Sequence, residues 1–149
     1  MPEIKSLDKK GIDFLIKEEG IRLKPYLDSV GIPTIGIGMT YYPDTGKRVT
    51  MQDNPLTPEQ ATSMFASIVK PYEVAVWSVT RDDINHNQFN ALCSLCYNIG
   101  VGGFKGSTVV KRVNKNPNDP LIADAFKMWK KPVILLPRRK REVALYFTP

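Results

Sequence analysis

Apolar residues recur at helical spacing through most of the chain, and the first such stretch ends on an acidic residue. Asp8 is suited to cap a helix that runs to about Glu19, and Gly20 is suited to end it. The positions that share the i, i+3, i+4, i+7 spacing are Ile12, Leu15, Ile16 and Glu19. We therefore expect Glu19, unlike Glu18, to lie within the apolar stripe of this helix.

The pattern changes after Gly20 to two short runs that are typical of strands. Leu23 to Leu27 and Ile32 to Ile37 flank the turn-forming sequence from Asp28 to Gly31. In the second run, Ile35 and Ile37 alternate with Thr34, Gly36 and Gly38. The two runs predict a hairpin whose turn brings Thr34 back beside Asp28, and Lys47 to Met51 is a candidate third strand.

Residues 57–149 read as a succession of helices separated by capping residues and prolines. Three capping residues mark helix starts: Thr57, Asn85 and Ser107. Pro71 is expected to break the first of these helices. The helix after Asn85 is apolar almost all round and is predicted to be the buried central helix. Further boundaries are Gly100 as a helix end, Gly102-Gly103 as a tight connection, Leu121 to Lys130 as a helix, and a last helix from about Pro137 to Phe147.

These elements predict an α+β fold that is mainly helical, with a small N-terminal β-hairpin or three-stranded sheet and a helical lobe. A cleft between two such lobes is a natural ligand site, and the catalytic candidates fall at that junction. The 149 residues fit one domain, spanning 1–149, without internal repeats or a linker.

The net charge of the chain favours an anionic partner but does not identify which one. The formal net charge is +6 and the pI about 9.3, which suits nucleic acid, a membrane surface or a cell wall. The densest basic run, Lys130-Lys131 with Arg138 to Arg141, is expected to be mostly a solvated helix face. No apolar stretch is long enough to span a membrane, and the N-terminus does not resemble a signal peptide. These features predict a protein that stays in the cytoplasm unless something else releases it.

Cys93 and Cys96 form a Cys-x-x-Cys motif, for which redox and zinc chemistry have to be considered. Zinc usually takes four ligands, and His86 is the single histidine of the sequence. Both cysteines fall at core-like spacing inside an apolar helix. We therefore predict buried, unreactive thiols and a surface position for His86, with no metal and no cofactor.

Glu19, Asp28 and Thr34 are the candidate catalytic residues. Two carboxyl groups in different environments are what acid-assisted cleavage of a glycosidic bond requires, and a carboxyl group among apolar side chains has a raised pKa, as a general acid needs. Each residue also has a structural interpretation. Glu19 could pair with Arg22 at the helix end, Asp28 could cap its own turn, and Thr34 could serve only as a strand residue.

The chain resembles the phage-type lysozymes, the endolysin muramidases of tailed phages, over most of its length. The segments that carry the resemblance are Glu19-Gly20, Asp28, Thr34 to Gly38, Leu56 to Ala61, Asn87 to Leu92, Tyr97 to Gly102, Ser107-Thr108 and Leu136 to Glu142. The resemblance implies hydrolysis of the β-1,4 bond between N-acetylmuramic acid and N-acetylglucosamine in peptidoglycan. It implies that Glu19 is the general acid, that Asp28 and Thr34 position a water, and that Asn98 faces the saccharide.

The resemblance also implies how the protein works in a phage cycle. Its partner would be the glycan strands of the host wall, with no nucleic acid and no stable membrane insertion, and a monomer is expected. Release through holin lesions would give access to the wall from the periplasm. Many relatives carry a histidine where Met39 stands, so this chain differs locally there. Two other hypotheses remain open: a peptidoglycan-binding protein of the same fold without catalysis, and a basic nucleic-acid-binding domain.

Overall fold

The computed structural model describes residues 3–149, in which eight α-helices accompany one two-stranded antiparallel sheet. In chain order the elements are α1 (Lys9–Glu19), β1 (Arg22–Leu27), β2 (Pro33–Gly36), α2 (Pro58–Ile68), α3 (Lys70–Val79), α4 (His86–Ile99), α5 (Val101–Lys105), α6 (Thr108–Lys115), α7 (Ile122–Lys127) and α8 (Leu136–Tyr146). A 3₁₀ turn, Val133–Leu135, precedes α8. The mainly helical α+β fold expected from the sequence is confirmed. None of the helices in this range is long and apolar enough to cross a lipid bilayer.

Contacts divide the chain into two units, which we call the hairpin unit (residues 12–69) and the helical unit (residues 1–11 and 70–149). The hairpin unit contains most of α1, the sheet and α2. Its apolar cluster forms around Ile35, Met39 and Val49, with half-buried neighbours at Tyr42, Leu56, Met64 and Ile68. The prediction of a single catalytic domain stays a prediction.

Two details of the hairpin unit differ from expectation. The predicted third strand does not form, because Arg48 makes only an isolated bridge with Tyr41. The predicted alternation along the second strand is also incomplete: residues 34–37 are all buried, and Gly36 and Gly38 take positive φ values of 65° and 67°. The glycines therefore make a turn that closes on Met39, whose backbone N–H and C=O both bond to Ile35.

The helical unit is built around α4, as its apolar sequence predicted. Every residue from Gln88 to Cys96 is buried. Asn85 and Gln88 form a reciprocal capping box at its start, with each side chain bonded to the other residue's backbone N–H. Thr57 and Gln60 do the same for α2, and Ser107 caps α6, so all three predicted caps are confirmed.

Some helix boundaries differ from those predicted. Gly102 and Gly103 lie inside the short helix α5 and do not form a connection. The helix predicted to reach Lys130 ends at Lys127. The break near Pro71 is confirmed: α2 ends at Ile68, and α3 begins at Lys70 with the proline in its first turn.

Candidate active site

Asp28 organises the turn of the hairpin. Its Oδ1 accepts hydrogen bonds from the backbone N–H groups of Val30 and Ile32, each at 2.9 Å. Its own N–H donates to the Ile32 carbonyl at 3.0 Å, which closes the turn. These bonds confirm that Asp28 caps its own turn. Both hydrogen bonds are to the same oxygen, Oδ1. Oδ2 therefore takes no part in these two bonds.

Thr34 is joined to the same turn through Ile32. Its side chain is 2% exposed, and its Oγ1 donates a hydrogen bond to the Ile32 carbonyl at 2.8 Å. Ile32 thus gives its N–H to the Asp28 carboxylate and its C=O to the Thr34 hydroxyl. The Thr34 hydroxyl uses its hydrogen in the bond to Ile32, but the hydroxyl oxygen can still accept a hydrogen bond. The strand ladder pairs Thr34 with Tyr26, so Thr34 does not lie directly opposite Asp28, and the two are connected through Ile32.

The hairpin that carries these residues is irregular. Arg22 pairs with Gly36 and Tyr26 with Thr34, so β1 advances four residues while β2 advances two. Such a bulge bends and twists a hairpin locally. It occurs in the segment of β1 that contains Pro25, a residue that lacks the N–H needed for a regular ladder. The Arg22 guanidinium lies over the Tyr26 ring, 4.3 Å from its centroid.

Glu19 is the last residue of α1, and two residues separate it from the start of β1. The predicted cap is present, since Asp8 Oδ1 accepts from the Gly11 N–H at 2.9 Å. The predicted stop is also present: Gly20 takes φ 77° and bonds to the Ile16 carbonyl at 2.8 Å. Glu19 is half-buried, on a helix whose Leu15 is fully buried. The local geometry therefore fixes Glu19 at a helix end just before the strand that leads to Asp28.

Met39 occupies the position where a histidine was expected from the family resemblance. It is 7% exposed and belongs to the apolar cluster of the hairpin unit. A Cβ atom built on Gly36 would lie 2.5 Å from Met39 Cε, so the thioether fills the space that a side chain at position 36 would need. The Met39 side chain thus contributes to apolar packing in the hairpin unit.

Asn98 lies in the helical unit, on the last turn of α4. Its Oδ1 accepts a hydrogen bond from Arg139 Nη2 at 2.7 Å, which leaves its Nδ2 group to donate elsewhere. It borders a cavity of about 470 Å³ whose other lining residues are Ile99, Met128, Trp129, Lys131 and Leu135. The amide of Asn98 is therefore oriented by a buried arginine at the edge of an open cavity.

The arginine that orients Asn98 belongs to a buried cluster that sequence reasoning missed. Arg138 and Arg139 are 7% and 0% exposed, so the prediction of a solvated basic face is wrong for these two residues, although Lys140 and Arg141 are exposed. Both pair with Glu142, which is fully buried and also bonds to the Ser94 hydroxyl. The signal was available, because an acid three and four residues after two arginines on a helix can pair with both.

Arg138 and Arg139 contact the Glu142 carboxylate in different ways. Arg138 Nε donates to Glu142 Oε2 at 3.2 Å, and Arg139 Nη2 donates to the same oxygen at 3.3 Å. Arg139 Nε lies 2.8 Å from Glu142 Oε1, but its N–H is not aimed at that oxygen, so this contact is an ion pair without a hydrogen bond. Burial raises the pKa of the Glu142 carboxyl, while Arg139, Ser94 and Arg138 oppose that shift.

Cys93 and Cys96 are free and fully buried, as predicted. Burial raises the pKa of the Cys96 thiol to about 12 and that of Cys93 well above its ordinary value, which makes both poor nucleophiles. His86 is exposed in the first turn of α4, with Nε2 3.1 Å from the Ser6 carbonyl oxygen. Across residues 3–149, no group of three or more histidine, cysteine or acidic side chains could hold a metal ion.

Comparison with known proteins places the chain among lysozymes of phages. The family model described as phage lysozyme matches residues 16–142. An endolysin of Salmonella phage P22 is 44% identical over 146 residues, which covers 95% of this chain and 98% of the relative. A crystal structure of a mutant P22 lysozyme has a TM-score of 0.86 at 42% identity, covering 97% of this chain and all of the other.

A more distant structure extends the comparison beyond phages. The muramidase domain of SpmX from Asticaccaulis excentricus has a TM-score of 0.75 at 28% identity and covers 98% of this chain and all of the domain. The fold described above is therefore lysozyme-like, and the family suggested by the sequence is confirmed. The chain belongs to the phage lysozyme family.

Proposed function

We propose that this chain, a peptidoglycan-degrading endolysin and lysozyme-type glycoside hydrolase by family, cleaves the β-1,4 bond between N-acetylmuramic acid and N-acetylglucosamine with Glu19 as general acid. In this proposal the Glu19 carboxylic acid protonates the glycosidic oxygen as the bond to the leaving sugar breaks. The half-buried setting of Glu19 at the end of a rigid helix supports this role.

Asp28 and Thr34 then position the attacking water. The Thr34 hydroxyl donates its hydrogen bond to the Ile32 carbonyl, and Asp28 Oδ1 accepts two hydrogen bonds from the turn. Thr34 Oγ1 and Asp28 Oδ2 can therefore both accept a hydrogen bond from a water. A water that donates one hydrogen to each keeps a lone pair for the anomeric carbon. As the new bond forms, its proton passes to Asp28, whose negative charge also stabilises the positive charge on the sugar ring.

The observation that carries this proposal is the double use of Ile32, whose N–H binds Asp28 and whose C=O binds Thr34. One residue thereby fixes both acceptors without consuming either of the atoms that the water needs. Direct attack by this water would invert the anomeric configuration, whereas attack by Asp28 itself would retain it. Asn98 would donate its Nδ2 hydrogens to the saccharide, because Arg139 occupies its Oδ1.

The wider setting belongs to the same proposal. The protein acts on the host cell wall, as phage endolysins do. We propose that it works as a monomer, reaches the periplasm through holin lesions, and has no nucleic-acid partner and no stable membrane insertion.

Clearing of purified peptidoglycan, with new reducing ends measured in parallel, tests this function. Wild type should clear the substrate and release reducing ends, and Glu19→Gln should lose at least about a thousandfold of the rate because the acid cannot be replaced by an amide. Glu18→Gln, one residue earlier on α1, is the matched control and should keep activity within about threefold. A folded wild type that pellets with the wall yet releases no reducing ends would overturn the enzyme and leave a non-catalytic wall-binding protein.

A further inference from the structure

The charge of the chain is concentrated in its last third. Residues 101–149 contain eleven Lys or Arg and three Asp or Glu, a formal net charge of +8, whereas residues 1–100 contain ten and twelve and carry −2. Of the three acids, Glu142 is buried against two arginines and Asp119 lies 3.6 Å from Arg112. The net charge that residues 101–149 present to solvent is therefore strongly positive.

The three most exposed large apolar side chains of the same third lie on one short segment. We call residues 128–134, which follow α7 and include the first two residues of the 3₁₀ turn before α8, the tip. Met128, Val133 and Ile134 on the tip are 64%, 73% and 77% exposed, whereas Leu135 and Leu136 immediately after it are half-buried. Lys130 and Lys131 are exposed and stand between the methionine and the two β-branched residues. Aliphatic and cationic side chains thus share one exposed segment.

We propose that the tip is a membrane-docking surface for bilayers that carry anionic phospholipid headgroups. The lysines would contact the headgroups, and Val133 with Ile134 would enter the interface between headgroups and acyl chains. A bilayer uses both features at once, since its surface is negative and its interface accepts apolar side chains without needing a shaped pocket. A second copy of the chain is disfavoured because two tips would bring four lysines together.

Docking of this kind is peripheral and reversible. Two exposed aliphatic residues add only modest affinity, and each lysine near an anionic surface adds about fivefold. Binding should therefore depend on lipid charge and should weaken as salt screens the headgroups. The proposal concerns adsorption to lipid and makes no use of Glu19, Asp28 or Thr34, although Met128 and Lys131 of the tip also line the cavity that Asn98 borders.

Co-sedimentation of the full chain with vesicles tests the proposal. Wild type should pellet with vesicles of equal phosphatidylglycerol and phosphatidylcholine, and not with phosphatidylcholine alone. Val133→Ser with Ile134→Ser should weaken binding about tenfold, and Lys130→Gln with Lys131→Gln about twentyfold. All four side chains are exposed, so melting temperatures should stay close to that of wild type.

Matched controls separate the tip from charge and apolarity in general. Lys111→Gln with Lys115→Gln removes the same charge from exposed positions of α6 and should change binding less than threefold. Val74→Ser removes an exposed valine from α3 and should have no effect on binding. A gain-of-signal test adds Ile134→Trp, whose emission should shift to the blue with anionic vesicles, whereas that of Val74→Trp should not.

Three results would overturn the proposal. The first is failure of wild type to pellet with anionic vesicles. The second is equal loss of binding in the tip lysine pair and the α6 lysine pair, which would show nonspecific attraction of a basic protein. The third is that the Val133/Ile134 variant binds vesicles like wild type but loses binding to purified sacculi, which would make the tip a wall-contacting surface.

Discussion

Asp28 and Glu142 show two opposite ways of holding a carboxylate in one chain. Asp28, in the hairpin unit, is half-buried and receives backbone N–H groups on one oxygen only. Glu142, in the helical unit, is fully buried, and its two oxygens face the side chains of Arg138, Arg139 and Ser94. The first arrangement leaves an oxygen for solvent or substrate, and the second leaves none.

The difference indicates which carboxylate is suited to chemistry. A group that must take up a proton needs an accessible oxygen and a rigid support, which backbone hydrogen bonds supply at Asp28. A carboxylate surrounded by cationic side chains in the interior is a structural element whose removal leaves buried charges unpaired. Substitutions at the two positions should therefore separate activity from stability.

The largest expected effect is on stability, from Glu142→Gln. This change removes the carboxylate that pairs with Arg138 and Arg139 in the interior, and we expect a loss of about 3–5 kcal/mol in the free energy of unfolding. Urea unfolding followed by circular dichroism measures it. Arg141→Gln, an exposed position one residue earlier, is the control and should change the free energy of unfolding by less than about 1 kcal/mol. Equal losses in the two variants would show that the buried Glu142 carboxylate contributes no more to stability than an exposed side chain.

At Asp28 the expected loss is one of activity. Asp28→Asn keeps an oxygen for the Val30 and Ile32 N–H groups but has no charge, so the rate should fall at least about a hundredfold with little change in melting temperature. Asp28→Ala should lose activity and also lower the melting temperature, because the turn loses both bonds. Rate assays and thermal scans of the pair check this. An active, stable Asp28→Asn enzyme would limit Asp28 to its capping role.

Thr34 offers a smaller and sharper contrast. Thr34→Ser keeps a hydroxyl that can bond to the Ile32 carbonyl, and its rate should stay within about threefold of wild type. Thr34→Val has nearly the same shape but no oxygen, so we expect a fall of roughly tenfold or more. Initial rates on peptidoglycan at saturating substrate distinguish the two. Equal rates for the valine and serine variants would exclude the hydroxyl from the water site.

The smallest expected effect concerns the cap of α1. Partial burial works to raise the pKa of Asp8, but hydrogen bonds from the Gly11 N–H and Asn90 outweigh it, so the pKa lies below its ordinary value of 3.8. Its contribution to stability is then present above that pH and is lost as the pH falls through the folded-state pKa. Asp8→Ala should cost about 1 kcal/mol at neutral pH. Unfolding curves should show this gap closing below pH 3.8, and a constant gap would contradict the assignment.

Local chemistry accounts for the parts of this fold that the sequence predicts well. The caps at Thr57, Asn85 and Ser107 each depend on residues within three positions, so a window of four residues contains the whole interaction. The same holds for Asp8 and Gly20 at the ends of α1, and for Asp28 in its turn. These features also frame Glu19 and Asp28, but the catalytic roles of the two carboxylates are implied by the family resemblance and not by this local pattern.

Several features that the sequence did not predict depend on residues distant in the chain. Gly102-Gly103 looks like a connection, yet Trp129 packs so closely on Gly103 that an added Cβ would lie 3.2 Å from its ring. Ser94, forty-eight positions away, helps to bury Glu142 with its arginines. Met39 is explained only by the apolar cluster around it. The pairing of Glu142 with the two arginines is visible in the local spacing, but the contacts with Ser94 and Trp129 have no signature in a short window of sequence.

The most direct test of the central claim is the identity of the new reducing sugar. Peptidoglycan digested by the wild-type chain is reduced with borohydride, hydrolysed in acid, and analysed for muramitol and glucosaminitol. The proposed cleavage leaves N-acetylmuramic acid at the reducing end, so muramitol should appear, and Glu19→Gln should produce none above background. Glucosaminitol in its place would mean that the other glycosidic bond is cut, and a product without a reducible end would mean that no water is added at the anomeric carbon.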